Sequence, residues 1–190
     1  MPYLEVAGTS ESKLVPLLWS WSTTKANFDK PIVVLDRDNT LIRDAGRSNK
    51  VADLEFLTDA IDALILLTTL GYEIAIATNQ AAIGRNLCTM DQLALFHEKM
   101  DQTIFDATGI HLSVIAICPH VPEDLCACRK PRPGLLNAIA THSLHNPVLF
   151  IGDMKSDLEA AQEFGIQGRL ISNLNLLDSV RGWVKLNDSR

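Results

Sequence analysis

The chain has 190 residues, of which 47% are hydrophobic and 21% charged, and a net charge of −6. These values predict one globular domain with a substantial core. They argue against a general nucleic-acid binder, which relies on surplus Lys and Arg. The most apolar run, residues 60–77, is interrupted by Asp62, Gly71 and Glu73, so no membrane-spanning segment is predicted. No basic region precedes an apolar stretch at the N-terminus, so we expect no secretory signal and a cytoplasmic location.

The first thirty residues are interpreted as an N-terminal extension, 1–30. Apolar residues at helical spacing predict a short amphipathic helix over residues 11–22. They are Leu14, Leu17, Leu18 and Trp21. A helix packed on the outside of the domain is favoured over a partner contact through Trp19 and Trp21, because exposed aromatic pairs are uncommon.

From residue 31 onward, apolar runs alternate with amphipathic stretches. Continuous apolar runs are typical of strands covered on both faces of a parallel sheet. The predicted strands are 32–35, 73–77, 112–117, 148–151 and 168–171. The predicted helices follow the caps Thr58–Asp59 and Thr89, then begin at Pro133 and at residue 156, with a last helix in the tail 173–190. This alternation predicts a three-layer, Rossmann-like α/β fold, with a central parallel sheet and helices on both faces.

Side chains capable of chemistry follow the predicted strands at their C-terminal ends. They are Asp36, Asp38, Thr78, Cys118 and Asp153. In open α/β sheets this edge is where ligands bind. The sequence therefore predicts a functional site there.

Two carboxylates, Asp36 and Asp38, can face one pocket if the chain stays extended between them. One could attack phosphorus and form an aspartyl phosphate, while the other hands a proton to the leaving group. A polyanionic substrate would need a cation between them, for which Mg²⁺ with oxygen ligands is suited, and Asp153 would complete the metal site. Taken alone, this pair is equally well explained as a turn whose acids cap a helix.

The other strand ends carry weaker patterns. Thr78, Asn79 and Gln80 offer a hydroxyl and amides as donors to a phosphoryl oxygen, although an ordinary turn is the commoner explanation. Asp157, four residues after Asp153, could orient the metal site, or it could simply be an acid favoured by the helix dipole.

A metal-binding pattern, Cys-x-His-x5-Cys-x-Cys, follows the third of these strands. Its members are Cys118, His120, Cys126 and Cys128. Three thiolates and one imidazole make a closed tetrahedral zinc site, which is structural because no position is left for water. Arg129 and Lys130 follow directly, so the zinc loop would end in a positively charged tip suited to an anionic substrate.

As a set, these motifs resemble the four motifs of the haloacid dehalogenase superfamily, over about residues 31–172. The matching positions are Asp36, Asp38, Thr40, Thr78, Lys130, Asp153 and Asp157. The resemblance implies a phosphatase in which Asp36 is the nucleophile and Asp38 the general acid and base. It implies Mg²⁺ held by the Asp36 carboxylate, the Asp38 carbonyl and Asp153. Thr78 would bind the phosphoryl group, and Lys130 would hold the nucleophile and phosphoryl charge together.

Within the superfamily, the zinc-loop segment resembles two phosphatases, one releasing the 7-phosphate of D-glycero-D-manno-heptose 1,7-bisphosphate and one acting on histidinol phosphate. Arg129 would contact substrate in both, with Asn79 and Arg85 as further contacts. Residues 129–134 and 82–85 favour the sugar phosphatase, whereas the five-residue spacing before Cys126 favours the histidinol enzyme. Asn39 replaces the usual Gly of the first motif, and Asn tolerates left-handed backbone better than most residues.

Segments 43–57 and 81–89 are too short for a large cap domain, so we expect an open site. Its rim would contain cations that hold a second phosphate or a sugar hydroxyl, or that are merely solvated: Arg43, Arg47, Lys50 and Arg85. Histidines outside the zinc motif are interpreted as surface or helix residues: His97, His111, His142 and His145. Cys88 is interpreted as a core or loop thiol.

The expected partner is a small phosphorylated metabolite, not nucleic acid or membrane, bound by a monomer or weak homo-oligomer. One rival is a zinc-stabilised binding module without catalysis, which would leave the strand-end carboxylates as coincidences. Another is a nucleic-acid 3′-end phosphatase of the same superfamily. The acidic charge and the lack of an aromatic and basic stripe argue against that rival.

Overall fold

The computed structural model describes residues 3–6, 15–20, 30–44, 46, 49–143, 147–171, 173 and 175–187. Its strands are β1 (Tyr3–Val6), β2 (Leu17–Ser20), β3 (Ile32–Leu35), β4 (Glu73–Asn79), β5 (Val114–Cys118), β6 (Pro147–Gly152) and β7 (Gln167–Leu170). They form one sheet in the order β1-β2-β5-β4-β3-β6-β7. Strands β3 to β7 pair in parallel, as the alternating pattern predicted.

The helices are α1 (Ala60–Thr69), α2 (Ala81–Gly84), α3 (Met90–Thr108), α4 (Gly134–His142), α5 (Lys155–Phe164) and α6 (Leu176–Asn187). Thr89 caps α3 as expected, because its side chain accepts from Gln92 N while the Gln92 side chain accepts from Thr89 N. None of the helices in the described part of the chain is long and apolar enough to cross a bilayer.

Side chains alternate between the two faces of the parallel strands and build two cores. Val33 and Leu35 of β3 belong to the core shared with α1, α3 and α6, whereas Ile32 and Val34 belong to the core shared with α4 and α5. Helices therefore cover both faces of the sheet, and the predicted three-layer fold is confirmed. The central strands are continuous apolar runs in the sequence because both faces of the sheet are buried there.

The predicted helix over residues 11–22 is wrong where the structure describes it. Leu17–Ser20 forms β2, which pairs antiparallel with β1 and with β5. Leu18 and Trp19 each enter the core on an opposite face of the sheet, which is the period of a strand rather than of a helix. Trp19 is 2% exposed, so it does not offer a partner contact, and Leu14 and Trp21 lie outside the described residues.

The C-terminal helix α6 packs against α1. Asp59 stands at the N-cap position of α1 but makes no side-chain capping bond there. Its carboxylate instead accepts from Leu177 N at 2.6 Å. The predicted cap thus joins two helices that are distant in sequence.

The two connections that could have held a cap domain are short. In their described parts they contain a single 3-10 turn at Val51–Asp53 and the four-residue helix α2. The C-terminal edge of the sheet is therefore left open to solvent.

Candidate active site

A cleft of roughly 500 Å³ lies at the C-terminal edge of the parallel strands. Neighbouring strands bring its residues together: Leu35 pairs with Ile151, so Asp36 and Asp153 emerge side by side, and Asn79 pairs with Cys118. Its described lining is Asp36, Asp38, Asn39, Asp44, Gly46, Thr78, Asn79, Gln80, Ala81, Ala82, Arg129, Lys130, Asp153, Met154, Ser156 and Asp157.

The Lys130 ammonium lies at the centre of the charged floor. Lys130 Nζ is 2.8 Å from Asp36 Oδ1 and 2.6 Å from Asp157 Oδ1, and it donates to the carbonyl of Ala77 at 3.0 Å. Burial alone would lower the pKa of Lys130, but the carboxylates of Asp36 and Asp157 outweigh burial, so the pKa lies above its usual value. Lys130 is therefore a permanent cation beside the predicted nucleophile.

The carboxylates outnumber this cation. Burial raises the pKa of Asp36 to about 7; Lys130 lowers it, and the charges of Asp157 and Asp38 raise it again. Burial and the charge of Asp157 also raise the pKa of Asp153, while a hydrogen bond from Asn39 lowers it. Carboxylate oxygens of Asp36, Asp153 and Asp157 all lie within 4.8 Å of one another. This convergence of carboxylates, with more negative charge than Lys130 offsets, fits a divalent cation such as Mg²⁺.

Close backbone approaches shape this floor. A Cβ at Gly152 would overlap the carboxylate of Asp157, so the glycine is needed for Asp157 to reach Lys130. Asn39 has φ of +55°, and the turn after Asp38 therefore forms in spite of the missing glycine.

Asp38 is held by Arg37, to which the sequence analysis gave no role, and by Gln80, which was expected to donate to a phosphoryl oxygen instead. Arg37 donates to both Asp38 carboxylate oxygens, and Gln80 Nε2 donates to Asp38 Oδ2 at 3.0 Å. Gln80 also donates to Thr78 Oγ1 at 2.8 Å. A charged residue directly after a strand was the available signal for Arg37, but its burial depends on tertiary contacts.

The four zinc-motif residues converge in a buried cluster. Cys118 Sγ lies 3.6 Å from His120 Nδ1 and from Cys126 Sγ, and Cys128 Sγ lies 3.1 Å from His120 Nδ1 and 3.5 Å from Cys126 Sγ. Zinc ligands in a tetrahedron stand about 3.5–3.8 Å apart, given bonds of about 2.0–2.3 Å. The hydrogen bond between Cys118 and Cys128 lowers the pKa of Cys118 to about 5 and raises the pKa of Cys128, so Cys118 is the ready thiolate and Cys128 loses its proton when zinc binds. The cluster fits a structural zinc ion.

Hydrogen bonds connect the zinc loop to the charged floor. Arg132 donates to the carbonyls of Leu125 and Cys126, and Arg129 Nη1 donates to the carbonyl of His120 at 3.2 Å. Asn79 receives the Lys130 N–H at 3.2 Å and donates to the Lys130 carbonyl at 3.3 Å. The loop thereby sets the position from which Lys130 reaches Asp36.

Some predicted residues lie elsewhere. Arg85 is exposed and does not belong to the described lining of the cleft. Thr40 does not belong to it either, because its side chain is fully buried. Arg43 pairs with Glu55 at 2.6 Å on the surface, Lys50 is exposed, and Arg47 lies outside the described residues.

The remaining predicted thiol and helix histidine are both buried. Cys88 is buried in the core, as a core thiol should be. His97 is a helix residue, as expected, but it is fully buried and lies 3.1 Å from Arg37 Nη1.

The sequence of this chain is similar to those of known phosphatases. Residues 31–163 match the family model described as polynucleotide kinase 3 phosphatase. The chain is 32% identical to a D-glycero-beta-D-manno-heptose-1,7-bisphosphate 7-phosphatase of Helicobacter pylori over 88% of this chain and 94% of that protein. It is 37% identical to the histidine biosynthesis bifunctional protein HisB of Blochmanniella floridana, over 72% of this chain and 40% of that one.

The chain is also similar to a solved phosphatase structure. The D,D-heptose 1,7-bisphosphate phosphatase from B. bronchiseptica, complexed with magnesium and phosphate, superposes with a TM-score of 0.72 and 25% identity. The match covers 82% of this chain and 99% of that one. The chain belongs to the polynucleotide kinase 3 phosphatase family, within the haloacid dehalogenase superfamily of phosphatases.

Proposed function

We propose that this phosphatase removes the 7-phosphate of D-glycero-D-manno-heptose 1,7-bisphosphate, with Mg²⁺ bound and through an aspartyl phosphate on Asp36. One observation carries the proposal. The buried Lys130 ammonium holds Asp36 at the floor of an open cleft, with Asp153 and Asp157 close enough to share a cation. A carboxylate so placed is directed at an incoming phosphoryl group.

In the first step, a free oxygen of the Asp36 carboxylate attacks phosphorus while its other oxygen stays paired with Lys130. Asp38 protonates the departing alkoxide, and the Thr78 hydroxyl donates to a phosphoryl oxygen. In the second step, Asp38 takes a proton from water, which attacks the phosphorus of the aspartyl phosphate and releases phosphate. When bound, Mg²⁺ would be held by the Asp36 carboxylate, the Asp38 carbonyl and Asp153, and would offset charge on the phosphoryl oxygens.

The substrate assignment is supported by the names of the Helicobacter and B. bronchiseptica relatives and by the cleft itself. Its volume, roughly 500 Å³, suits a sugar phosphate. Within the described lining, Arg129 is the cation that is not already paired with the nucleophile, and we assign it to the sugar or its second phosphate. Asn79 supports Lys130, and we assign Arg85 to a more distant part of the rim.

Histidinol phosphate is the second candidate. The relationship to the bifunctional histidine-biosynthesis protein favours it, and so does the five-residue spacing between His120 and Cys126. Its ammonium and imidazole would find carboxylates in the cleft, among them Asp44.

A nucleic-acid 3′-end is the substrate that the family's description suggests. The charge of the protein, −6, disfavours it, because binding to a phosphate backbone needs cations beyond the reacting group. The described cleft lining contains five carboxylates against Arg129 and Lys130. We therefore propose a small metabolite as the substrate. We also propose a reducing, cytoplasmic setting, which the unpaired cysteines support.

The test is Mg²⁺-supported phosphate release from three substrates: heptose 1,7-bisphosphate, histidinol phosphate and a 3′-phosphorylated oligonucleotide. We expect kcat/KM for the heptose to exceed the others by at least about tenfold, which corresponds to roughly 1.4 kcal/mol of transition-state binding. A preference for histidinol phosphate or for the oligonucleotide would overturn the substrate assignment. If the protein hydrolyses none of these three substrates and no other phosphate ester, a non-catalytic binding module would be favoured.

A further inference from the structure

A closed ring of polar side chains lies at the floor of the cleft: Asp38 and Gln80 line the cleft, whereas Arg37 and Asn49 are buried outside its described lining. Arg37 Nη2 donates to Asn49 Oδ1 at 2.7 Å, and Asn49 Nδ2 donates to Gln80 Oε1 at 3.2 Å. Gln80 Nε2 donates to Asp38 Oδ2, which also accepts from Arg37. The ring thus begins and ends on Asp38, and a branch from Gln80 reaches Thr78.

The ring is costly to bury, so its presence needs an explanation. The Arg37 side chain is 1% exposed and Asn49 is equally buried. The guanidinium lies 4.9 Å from the centre of the Phe96 ring and contacts His97. Burying a charged group costs several kcal/mol unless it is fully paired, and an apolar core would have served packing as well. None of Arg37, Asn49 and Gln80 has a role in the proposed chemical steps.

The chemistry of the groups fixes the direction of every bond in the ring. A guanidinium only donates and a carboxylate only accepts. Arg37 therefore requires oxygen on the Asn49 side and leaves the Asn49 amide nitrogen for Gln80. Gln80 then presents its own nitrogen to Asp38 and Thr78. Neither amide can turn over without losing a bond to a buried partner.

Two consequences concern reacting groups. Thr78 Oγ1 accepts from Gln80, so its single hydroxyl proton remains available for a phosphoryl oxygen. Asp38 Oδ2 accepts from Arg37 Nε, Arg37 Nη2 and Gln80 Nε2, whereas Oδ1 accepts from Arg37 Nη2 alone. Oδ1 is therefore the oxygen with room to carry and deliver a proton.

We propose that Arg37, Asn49 and Gln80 are positioning residues that hold the Asp38 carboxylate in its reacting orientation. This inference rests on the proposed role of Asp38 as general acid. A misplacement of a catalytic group by about 1 Å can cost about a hundredfold in rate.

The experiment compares kcat/KM for p-nitrophenyl phosphate, whose leaving group needs no proton, with that for glycerol 2-phosphate, whose alkoxide does. kcat/KM reports only the steps up to release of the leaving group, so hydrolysis of the aspartyl phosphate does not enter. For Gln80→Met we expect a loss of roughly 10- to 100-fold with glycerol 2-phosphate and less than about threefold with the aryl ester. Gln162→Met, at an exposed glutamine of α5, is the matched control and should change neither value.

A second variant guards against a folding artefact. Asn49→Gly removes both ring bonds, and glycine accepts the positive φ of +44° at that position. We expect the same selective loss, with thermal melting used to confirm that both variants fold.

Asp38→Asn tests the general-acid role of Asp38 separately from the positioning role of the ring. If Asp38→Asn lowers kcat/KM equally for both substrates, Asp38 is not the general acid and the proposed mechanism fails. If it is selective for the alkyl ester while Gln80→Met and Asn49→Gly are not, the positioning role is overturned and the mechanism stands.

Discussion

Lys130 Nζ lies 2.6 Å from Asp157 Oδ1, and the two side chains are 4% and 1% exposed. The lysine follows the zinc loop and the aspartate lies in the first turn of α5, so their contact joins two separate parts of the sheet edge. Asp157 fixes the ammonium from one side and leaves its other side for Asp36. The geometry of Asp36, the proposed nucleophile, therefore depends on both the zinc loop and α5.

Replacing Lys130 tests this arrangement. Lys130→Met leaves the buried carboxylates of Asp36 and Asp157 without their cation, so we expect kcat to fall by at least about a hundredfold. We also expect the free energy of unfolding of the metal-free protein to fall by about 3–5 kcal/mol, as for other broken buried pairs. Lys155→Met, at a lysine that is 85% exposed, is the matched control. Unchanged kcat in Lys130→Met would contradict the assigned role.

Magnesium affinity should depend on pH. With the pKa of Asp36 raised to about 7, its carboxyl group is mostly protonated at pH 6 and mostly ionised at pH 8. Mg²⁺ must displace the proton at the lower pH, so we expect binding to weaken about tenfold from pH 8 to pH 6. Titration calorimetry at the two values measures this. Equal affinities would show that Asp36 is ionised throughout.

The zinc loop leaves no room for a side chain at residue 134. A Cβ there would overlap the carbonyl of Ala127 and Cα of Cys128. We expect Gly134→Ala to displace the loop, lower the bound zinc below one equivalent and reduce kcat through Lys130. Ala127→Ser is the control, because it changes an exposed residue of the zinc loop without creating this overlap. Gly109→Ala would not serve, because Gly109 has a φ of +74°, which alanine rarely adopts. Full zinc content in Gly134→Ala, measured by elemental analysis, would refute the tight packing.

His97 should make the fold sensitive to acid. Burial lowers the pKa of His97 well below its usual value, and the Arg37 guanidinium lowers it further. The unfolded chain takes up a proton on His97 below about pH 6.5, but the folded chain does not. The free energy of unfolding therefore falls as the pH drops below that value, by up to about 1.4 kcal/mol per pH unit.

His97→Gln keeps an acceptor for Arg37 but cannot titrate. The difference in unfolding free energy between this variant and the parent protein should be constant above pH 6.5 and shift in favour of the variant below it. Urea unfolding at pH 5.0, 6.0 and 7.5 provides the comparison. Parallel pH profiles would mean that His97 takes up a proton in the folded chain at the same pH as in the unfolded chain.

Strands β3 to β6 were predictable because each is largely apolar on both faces and leads into a polar residue or a cysteine. The N-terminal strands were not. Leu17 and Leu18 fit a helical period as well as a strand, and their pairing with β5 is a long-range contact that no local pattern reports. Similarly, Asp59 looked like a local cap, whereas its partner, Leu177, lies more than a hundred residues away.

The site shows the same division. The residues proposed to react or to bind metal occur in short motifs at strand ends, so their types and spacing could be recognised in the sequence. Asn49 is an ordinary polar residue in the sequence, and Gln80 could be recognised only as a donor at a strand end. Only the folded chain joins them in one hydrogen-bonded ring with Asp38.

The most direct test of the proposed mechanism is rapid acid quenching during Mg²⁺-supported turnover of heptose 1,7-bisphosphate, followed by mass spectrometry of the digested protein. We predict one phosphoryl group on the peptide that contains Asp36 and none in Asp36→Asn, which should bind substrate without releasing phosphate. A phosphoryl group on another residue, or near-normal phosphate release by Asp36→Asn, would contradict the proposed chemistry.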